Sequence, residues 1–512
     1  MAYIAPNSTI EFFADFGLDS NYENTMYFAS TAAKDTYFSG ILKEATVTAQ
    51  SYTRAGKGII KVQLPMSTMY KCGYMRFKNT SFENKWFYAF ITGVEYINNI
   101  TTEVRFTIDV MTTWMGAFTL GECFVERQHT LSDNIGDNIA DEGIPCGDFK
   151  YEFVTSSGYI GSNGFWYCFA STFNPADMSD ATGAEYGGIY SGVMYSYTND
   201  PTVLNTWITR ATTAGKSDGI VGIAIVPYSF ITDAGADVVE RGQTFNKPYT
   251  SIDGYVPKNN KMFIYPYKSI QVTNLEGNFA EFRYEFFSGT AAQFEFMGVT
   301  GLNTEIVCSP VNYKGQQANL SEKISMSDFP MCSYNIDAFK AYIAQNKSSI
   351  AASAVSAGLQ MAGAIAGAGG MPVSDIPTAI PTSPLQLLGR LKDYERKPPQ
   401  AGGSQGNSAL FGRPTGHQKK DFWFLGKTIT ANYARMIDDY FTMFGYTINQ
   451  TQTPNMNARP YYTYVKTIGC IVKGEMPAED SKAIEDIFDK GVRFWKNHNN
   501  IGNYSTLNNS PT

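Results

Sequence analysis

The segment from Phe90 to Trp114, FITGVEYINNITTEVRFTIDVMTTW, contains the clearest structural pattern in the chain. Between residues 100 and 110 apolar and polar residues alternate, with one face formed by Ile100, Val104, Phe106, Ile108 and Val110 and the other by Glu103, Arg105, Thr107 and Asp109. A period of two predicts a strand with one buried and one solvated face, as is usual in antiparallel sheets. Trp86–Ile97 is also rich in strand formers, and Asn98-Asn99 suits a tight turn. We therefore predict an antiparallel hairpin.

Most of residues 1–330 has a similar character. Alternation returns at Glu281–Phe286 and at Phe294–Phe296, and the longer apolar run Gly219–Ile231 predicts a central strand. Aromatic residues make up 14% of the 512 residues and charged residues only 17%, against an ordinary charged share of about 25%. This composition excludes a disordered chain. The predicted fold class is mainly β with a few helices.

The C-terminal region changes to a helical period. Apolar residues in Ala431–Phe444 fall at helical spacing, and Gly445 is placed to end that helix. Tyr461–Val472 is strand-like. A second helix is predicted to open at Pro477, with an apolar face formed by Ile484, Ile487, Phe488, Val492 and Trp495. The polar end, residues 497–512, is expected to be loosely held.

Charge and residue types exclude several classes of function. The net charge of -7 argues against a dedicated nucleic-acid binder, which needs a basic face. Only three histidines occur, and because histidine supplies most acid–base catalysis and metal ligation, their scarcity argues against an enzyme. The seven cysteines include no C-x-x-C pair, which favours free thiols in a reducing compartment. Residues 1–19 have no basic and apolar signal-peptide pattern. The sequence therefore predicts no catalytic residue, no metal site, no cofactor and no signal peptide.

Four local motifs are interpreted as structural. TAGKS at Thr213–Ser217 resembles the end of a P-loop, but the required first glycine is replaced by Arg210. The spacing of an acidic group lacks the EF-hand pattern and predicts a solvated loop; its members are Asp133, Asp137, Asp141 and Glu142. His129 is expected to be a structural polar residue. A basic and aromatic group is expected on a sheet surface, and it comprises Lys258, Lys261, Tyr265, Tyr267 and Lys268.

The segment from Ser348 to Met371 differs from the rest of the chain. Alanine, glycine and serine supply 17 of its 24 residues, and no charged residue occurs from Ser348 through Ser374. Its length suffices for a membrane-crossing helix, which needs about 20 residues, but it is weakly hydrophobic. Small residues recur every fourth position at Ala354, Gly358 and Ala362, a spacing that lets helices pack closely in a membrane.

Three interpretations of this segment stay open. It is a flexible linker, a buried core helix, or a segment that enters a membrane only when several copies are released together. We favour the third interpretation. The residues expected to be membrane-active are Ile350, Val355, Gly358, Leu359, Met361, Gly363, Ile365, Gly367 and Met371.

Two blocks of sequence resemble a known family. The first is the Phe90–Trp114 segment followed by CFVERQH at Cys123–His129. The second comprises Asp438–Tyr446, Tyr464–Cys470 and Ile484–Trp495. In this order they resemble the tail knob (distal tail tube) proteins of small short-tailed phages of Gram-positive bacteria, the Picovirinae-like group. The resemblance covers roughly the first 150 and the last 90 residues.

The resemblance implies a non-enzymatic virion protein, made in the host cytoplasm and placed in the tail. The β-rich domains of six copies would form a ring or tube that serves as a channel for genome ejection. A long hydrophobic loop would plug the tube and later penetrate the host cell membrane. The implied partners are further copies in a homo-hexamer, other tail proteins (lower collar or tail tube, and tail tip), viral DNA that passes without sequence-specific binding, and host membrane lipids. A tail-tip receptor-binding protein and a cell-wall hydrolase are the alternatives.

The expected organisation has four parts. Residues 1–150 form an N-terminal β-rich tube domain, and 151–344 form a middle β-rich domain of the knob. Residues 345–425 form the Ala/Gly/Pro-rich hydrophobic loop, and 426–512 form a helix-strand-helix segment that folds back on the tube domain.

Overall fold

A computed structural model describes most of the chain. The described residues are 7–50, 58–157, 165–180, 185–186, 189–190, 192–227, 241–274, 277–299, 301–302, 304–314, 323–326, 334–335, 401–402 and 421–512. All nine expected membrane-active residues, from Ile350 to Met371, lie outside the described residues.

Strands dominate the described residues, which confirms the mainly β fold class. The strands are β1 Ser8–Ala14, β2 Asn24–Met26, β3 Ala45–Gln50, β4 Ile59–Val62, β5 Cys72–Lys78, β6 Phe87–Asn98, β7 Thr101–Ile108, β8 Phe118–Leu120, β9 Cys123–Gln128, β10 Phe149–Ser156, β11 Phe165–Ser171, β12 Glu185–Tyr186, β13 Ile189–Tyr190, β14 Met194–Thr198, β15 Ile220–Pro227, β16 Arg241–Asn246, β17 Lys268–Thr273, β18 Phe279–Phe282, β19 Ala291–Val299, β20 Glu305–Pro310, β21 Ile324–Met326, β22 Tyr334–Asn335, β23 Ala401–Gly402, β24 Trp423–Ile429, β25 Tyr446–Gln452, β26 Tyr462–Ile468, β27 Val472–Gly474 and β28 Val492–Trp495. The α-helices are α1 Thr31–Gly40, α2 Met66–Met69, α3 Val110–Trp114, α4 Pro201–Thr213, α5 Ala431–Phe444 and α6 Ala478–Lys490.

The chain divides into two compact units, each built from separate stretches of sequence. Unit 1 comprises Met1–Lys150, Pro248–Ser269 and Thr428–Thr512. Unit 2 comprises Tyr151–Lys247 and Ile270–Lys427. Pro248–Ser269 falls inside the middle domain expected from the sequence, yet the structure places it in unit 1.

The first sheet of unit 1 contains the predicted hairpin. Its strand order is β3-β1-β5-β6-β7-β4, and β6 pairs with β7 up to Asn98 opposite Thr101. The strand ends at Ile108 rather than Val110, because the carboxylate of Asp109 accepts a hydrogen bond from the Thr112 amide at 2.9 Å and caps α3. Ile100 lies in the turn, so its side chain is 61% exposed instead of buried.

The second sheet of unit 1 joins the two ends of the sequence. Its order is β2-β28-β26-β9-β25, so β26 and β28 bring C-terminal residues against β2 and β9. Helix α5 has the bounds expected, and Gly445 ends it with a φ of 66°. Helix α6 ends at Gly491, which corrects the predicted apolar face, since Val492 and Trp495 belong to β28. Both side chains are nevertheless in the same core as the residues of α6.

The polar C-terminal segment is held in place, contrary to expectation. The side-chain oxygen of Asn508, which is 3% exposed, accepts hydrogen bonds from the amides of Tyr461 and Tyr462 at 2.9 and 3.2 Å. The amide of Thr512 donates to the carbonyl of Ala458 at 3.1 Å. These bonds pair polar groups at the start of β26 and just before it, an arrangement between distant residues that composition alone could not indicate.

Unit 2 contains several smaller sheets. Their orders are β14-β11-β15, β16-β19-β20-β21 and, mostly within this unit, β10-β24-β17-β18. The predicted strand at Phe294–Phe296 is confirmed within β19. The predicted central strand, β15, is instead an edge strand of the described three-stranded sheet, with Val221 exposed. The alternation at Glu281–Phe286 continues as a strand only to Phe282, followed by a 3-10 turn.

Candidate functional site in unit 1

Two positively charged side chains meet one buried carboxylate in unit 1. Glu142, whose side chain is 2% exposed, forms ion pairs with Arg127 and Lys261. It also accepts hydrogen bonds from the amide and hydroxyl of Thr447 at 3.0 and 2.8 Å, while Arg127 donates to the Gly445 carbonyl at 2.7 Å. We call Arg127, Glu142 and Lys261 the Glu142 cluster. It ties together residues from three separate stretches of sequence.

The Glu142 cluster corrects two predictions. The acidic stretch is not simply a solvated loop, because the side chains of Glu142 and Asp133 are buried. Glu142 pairs with Lys261 and Asp133 accepts a hydrogen bond from the Tyr446 hydroxyl, and both partners lie more than one hundred residues away in sequence. Lys261 and Lys268 do not lie on a sheet surface; both are buried, and Lys268 donates to the Ser251 carbonyl at 2.6 Å. Burial lowers the pKa of Lys261, and the charge of Glu142 opposes that shift.

A second buried carboxylate anchors helix α5. Asp438 accepts a hydrogen bond from the Tyr255 hydroxyl at 2.7 Å and bonds from the amides of Lys258 and Asn259 at 2.8 and 3.0 Å. The Asn259 side chain adds a further bond at 2.9 Å. A carboxylate that accepts this many bonds has little capacity left for a substrate or a metal ion.

His129 is a buried structural residue, as predicted. Its Nδ1 accepts a hydrogen bond from the Tyr464 amide at 2.8 Å, and this assigns Nε2 as the donor to the Thr442 carbonyl at 3.1 Å. Burial, and next the charge of Arg459, lowers the pKa of His129 to about 3. A histidine that stays neutral at physiological pH and uses both nitrogens internally is not poised for acid–base catalysis.

The other motifs are also placed in ordinary structural contexts. Thr213–Ser217 begins at the last residue of helix α4 and precedes strand β15, the reverse of the strand–loop–helix order of a P-loop. Lys216 donates to the Met178 carbonyl and to Asp180, each at 2.7 Å. The six cysteines within the described ranges are free thiols. Among the residues that the structure describes, no group of acidic, histidine and cysteine side chains could hold a metal ion, and no helix is long and apolar enough to cross a membrane.

An open cleft of about 540 Å³ lies beside the Glu142 cluster. It is lined by parts of the loop 128–140 and of the segment 447–455. Its polar lining is dominated by amide side chains, those of Gln128, Asn138, Gln450, Gln452 and Asn455. Sequence reasoning missed this cleft; the one available signal was the pair of glutamines at alternate positions of β25.

Comparison with known proteins decides the family. Residues 232–509 match the family described as Bacillus phage phi29, tail knob protein gp9, C-terminal domain. The chain belongs to the phage tail knob proteins. Residues 6–119, which include the six-stranded sheet of this tail knob protein, match the family described as Caudoviral major tail protein N-terminus. The resemblance seen in the sequence is therefore confirmed.

Individual relatives match along the whole length of this tail knob protein. The tail knob protein gp9 of Bacillus phage phi29 is 24% identical over 608 aligned positions, which cover 99% of this chain and 100% of the relative. Tail knob protein gp9 of Bacillus phage B103 is 24% identical over 601 positions with the same coverage. The solved structure of the bacteriophage C1 tail knob protein gp12 aligns with a TM-score of 0.61 at 15% identity, covering 98% of this chain and 99% of that one. The protein is thus a structural component of the virion tail of a short-tailed phage.

Proposed function

We propose that six copies of this tail knob protein form a channel through which the genome leaves the virion. The observation that carries the proposal is the match along the whole chain to tail knob proteins, joined to a match of residues 6–119 to a major tail protein family. A tail position implies contacts with neighbouring tail proteins, and we propose the lower collar or tail tube and the tail tip as those neighbours.

The placement of positive charge supports passage of DNA without tight binding. Several basic side chains of unit 1 are buried and donate hydrogen bonds within the chain, namely Arg76, Arg127, Lys261, Lys268 and Arg493, and Arg459 is also buried. Because phosphate binding depends on lysine and arginine side chains that reach the DNA, buried cations cannot contribute to it. With a net charge of -7, the chain suits a channel that does not retain DNA.

Electron microscopy of the purified protein tests the assembly. Rings with six-fold symmetry and a central hole are the expected result. A particle that stays monomeric at the concentrations at which tails assemble, or a ring of another symmetry, would overturn the proposed hexamer.

We further propose that the loop 345–425 plugs the channel and penetrates the host membrane on infection. The uncharged run from Ser348 through Ser374 supports this, since a charged residue at the centre of a bilayer costs about 3 kcal/mol on insertion scales. The small residues at Gly358, Gly363 and Gly367 would let the loops of several copies pack closely.

Dye release from liposomes tests the loop. Wild-type protein is expected to release the dye, and Leu359→Asp to reduce the release strongly, because it places a charge within the apolar run. Leu359→Met is the matched control, because it changes the same side chain without adding a charge, and it is expected to release dye like the wild type. Equal leakage by wild type and by a deletion of 345–420 would contradict the proposal.

The proposed role is non-enzymatic, in keeping with relatives that are structural tail knob proteins. Zymography on host peptidoglycan is expected to show no clearing by the purified chain. Clearing that persists through purification to homogeneity would instead support the cell-wall hydrolase.

A further inference from the structure

We propose that the cleft beside the Glu142 cluster binds a neutral oligosaccharide. The proposal concerns unit 1 alone and does not depend on the proposed ejection role. At about 540 Å³ the cleft falls within the range of about 300–1,000 Å³ that is usual for small-ligand sites. It is large enough for a short glycan.

The lining chemistry matches hydroxyl groups rather than charges. Amide side chains both donate and accept hydrogen bonds, as sugar hydroxyls do. Among the described residues that line the cleft, none is a lysine, an arginine or a histidine, and Asp137 is acidic. An anionic ligand such as a phosphate would meet no positive partner there and would be repelled by the carboxylate of Asp137. The aliphatic side chains of Leu131 and Ile139, both exposed, supply the apolar contact that the faces of sugar rings require.

Two glutamines supply unused hydrogen-bonding groups. Gln450 and Gln452 stand at alternate positions of β25, so their side chains point to the same side of the strand. Neither side chain has a hydrogen-bond partner within the described part of the chain, and Gln450 is exposed. Four donor and acceptor groups are thus available for a ligand without breaking an internal bond.

The opposite wall of the cleft is fixed by its own hydrogen bonds. The Thr130 hydroxyl and the side-chain amide of Asn138 both donate to the Ser132 carbonyl, at 2.6 and 3.0 Å. The carboxylate of Asp137 accepts from the side-chain amide of Asn134 at 3.1 Å. A wall held in this way requires little ordering when a ligand binds, which favours affinity.

An added peptide strand suits the site less well. β25 is the edge strand of its sheet, but its pairing with β9 is interrupted between Thr447 and Gln450, and Asn449 has a φ of 49°. A bulge of this kind twists an edge and disfavours the continuous backbone ladder that strand addition needs. Ligand contacts are therefore expected through side chains.

Titration calorimetry on the full chain tests the proposal. The probes are two neutral tetrasaccharides, chitotetraose and maltotetraose, and an anionic heparin tetrasaccharide. At least one neutral probe is expected to saturate the protein with a Kd of roughly 1 mM or lower, and the heparin fragment is expected to bind about tenfold more weakly or less. The double substitution Gln450→Ala and Gln452→Ala is expected to weaken neutral-sugar binding by about tenfold or more, because it removes all four of these donor and acceptor groups from the cleft.

Thr451→Ala is the matched control, since Thr451 is exposed on β25 between the two glutamines but does not line the cleft. Its binding should equal that of wild type. Absence of saturable binding of both neutral probes up to roughly 10 mM, or equal binding by the double variant, would overturn the proposal. If the double variant instead changes the oligomeric state measured by sedimentation, the cleft is a contact between copies of the chain and the glycan proposal fails.

Discussion

Replacing His129 with glutamine is expected to remove a specific source of acid instability from this tail knob protein. In the folded protein the pKa of His129 is lowered to about 3, whereas the ordinary value is 6.5. The unfolded chain therefore binds a proton on this side chain between these two pH values and the folded chain does not. The stabilising contribution of neutral His129 is complete above pH 6.5 and is lost progressively as the pH falls toward 3.

The size of the effect follows from the pKa difference. One pKa unit corresponds to about 1.4 kcal/mol. At pH 4.5, about two pH units below the ordinary pKa, protonation of His129 stabilises the unfolded state by about 3 kcal/mol. The free energy of unfolding is therefore lower by about that amount than at pH 7 from this residue alone. Glutamine preserves one acceptor for the Tyr464 amide and one donor for the Thr442 carbonyl, and it does not titrate.

The assay compares urea unfolding of wild type and His129→Gln at pH 7, 5.5 and 4.5. At pH 7 the variant is expected to be less stable by about 1–2 kcal/mol, because glutamine cannot reproduce the ring contact with Tyr462 or the geometry of both bonds. At pH 4.5 the order should reverse. All other groups titrate in both proteins, so the difference isolates His129. His498→Gln, at a less buried histidine, should leave the pH dependence much closer to that of wild type. A difference between wild type and His129→Gln that stays constant from pH 7 to 4.5 would refute the reasoning.

Three other substitutions test the interior of unit 1 by the same unfolding measurement. Glu142→Gln leaves Arg127 and Lys261 without their buried counter-charge and should cost about 3–5 kcal/mol. Glu479→Gln, at an exposed position of α6, is the control and should change stability by no more than about 0.5 kcal/mol. Equal effects of the two substitutions would contradict the stabilising role of the Glu142 cluster. Lys34→Met removes the ammonium that donates to the carbonyls of residues 112, 113 and 115 at 2.8, 3.0 and 3.1 Å, and it should cost about 2–4 kcal/mol at pH 7. Burial lowers the pKa of Lys34 to about 8, so the stability of wild type relative to the variant should increase as the pH rises from 8 to 10.5. Gly445→Ala places a Cβ against the Gln128 carbonyl group at a φ of 66° and should cost about 2 kcal/mol or more. Gly40→Ala is the control, because its Cβ meets no atom within 4 Å, and it should be neutral or stabilising. A neutral Gly445→Ala would show that the backbone there adjusts freely.

The sequence predicted correctly those helices and strands that are determined by neighbouring residues. The β6–β7 hairpin and helix α5 were predictable because their periods and turn residues lie within short stretches of sequence. The end of α6 was missed because Val492 and Trp495 continue the apolar spacing, although the φ of 98° at Gly491 ends the helix.

Long-range partners explain the remaining errors. The burial of Glu142 depends on Lys261, and that of Asp133 on Tyr446, and no pattern within the acidic stretch indicates either partner. The edge position of β15 depends in the same way on strand order rather than on its own apolar run. The cleft was also invisible in the sequence, because the loop 128–140 and the segment 447–455 meet only in the folded unit.

The discontinuous make-up of unit 1 has a consequence for its synthesis. Strands β2 and β9 are translated before unit 2, but β28 and β26, which pair with them, are translated only after it. Unit 2 is translated in between and can fold first. A nascent or prematurely terminated chain therefore lacks a finished second sheet in unit 1, and only a chain translated through Trp495 can complete that sheet.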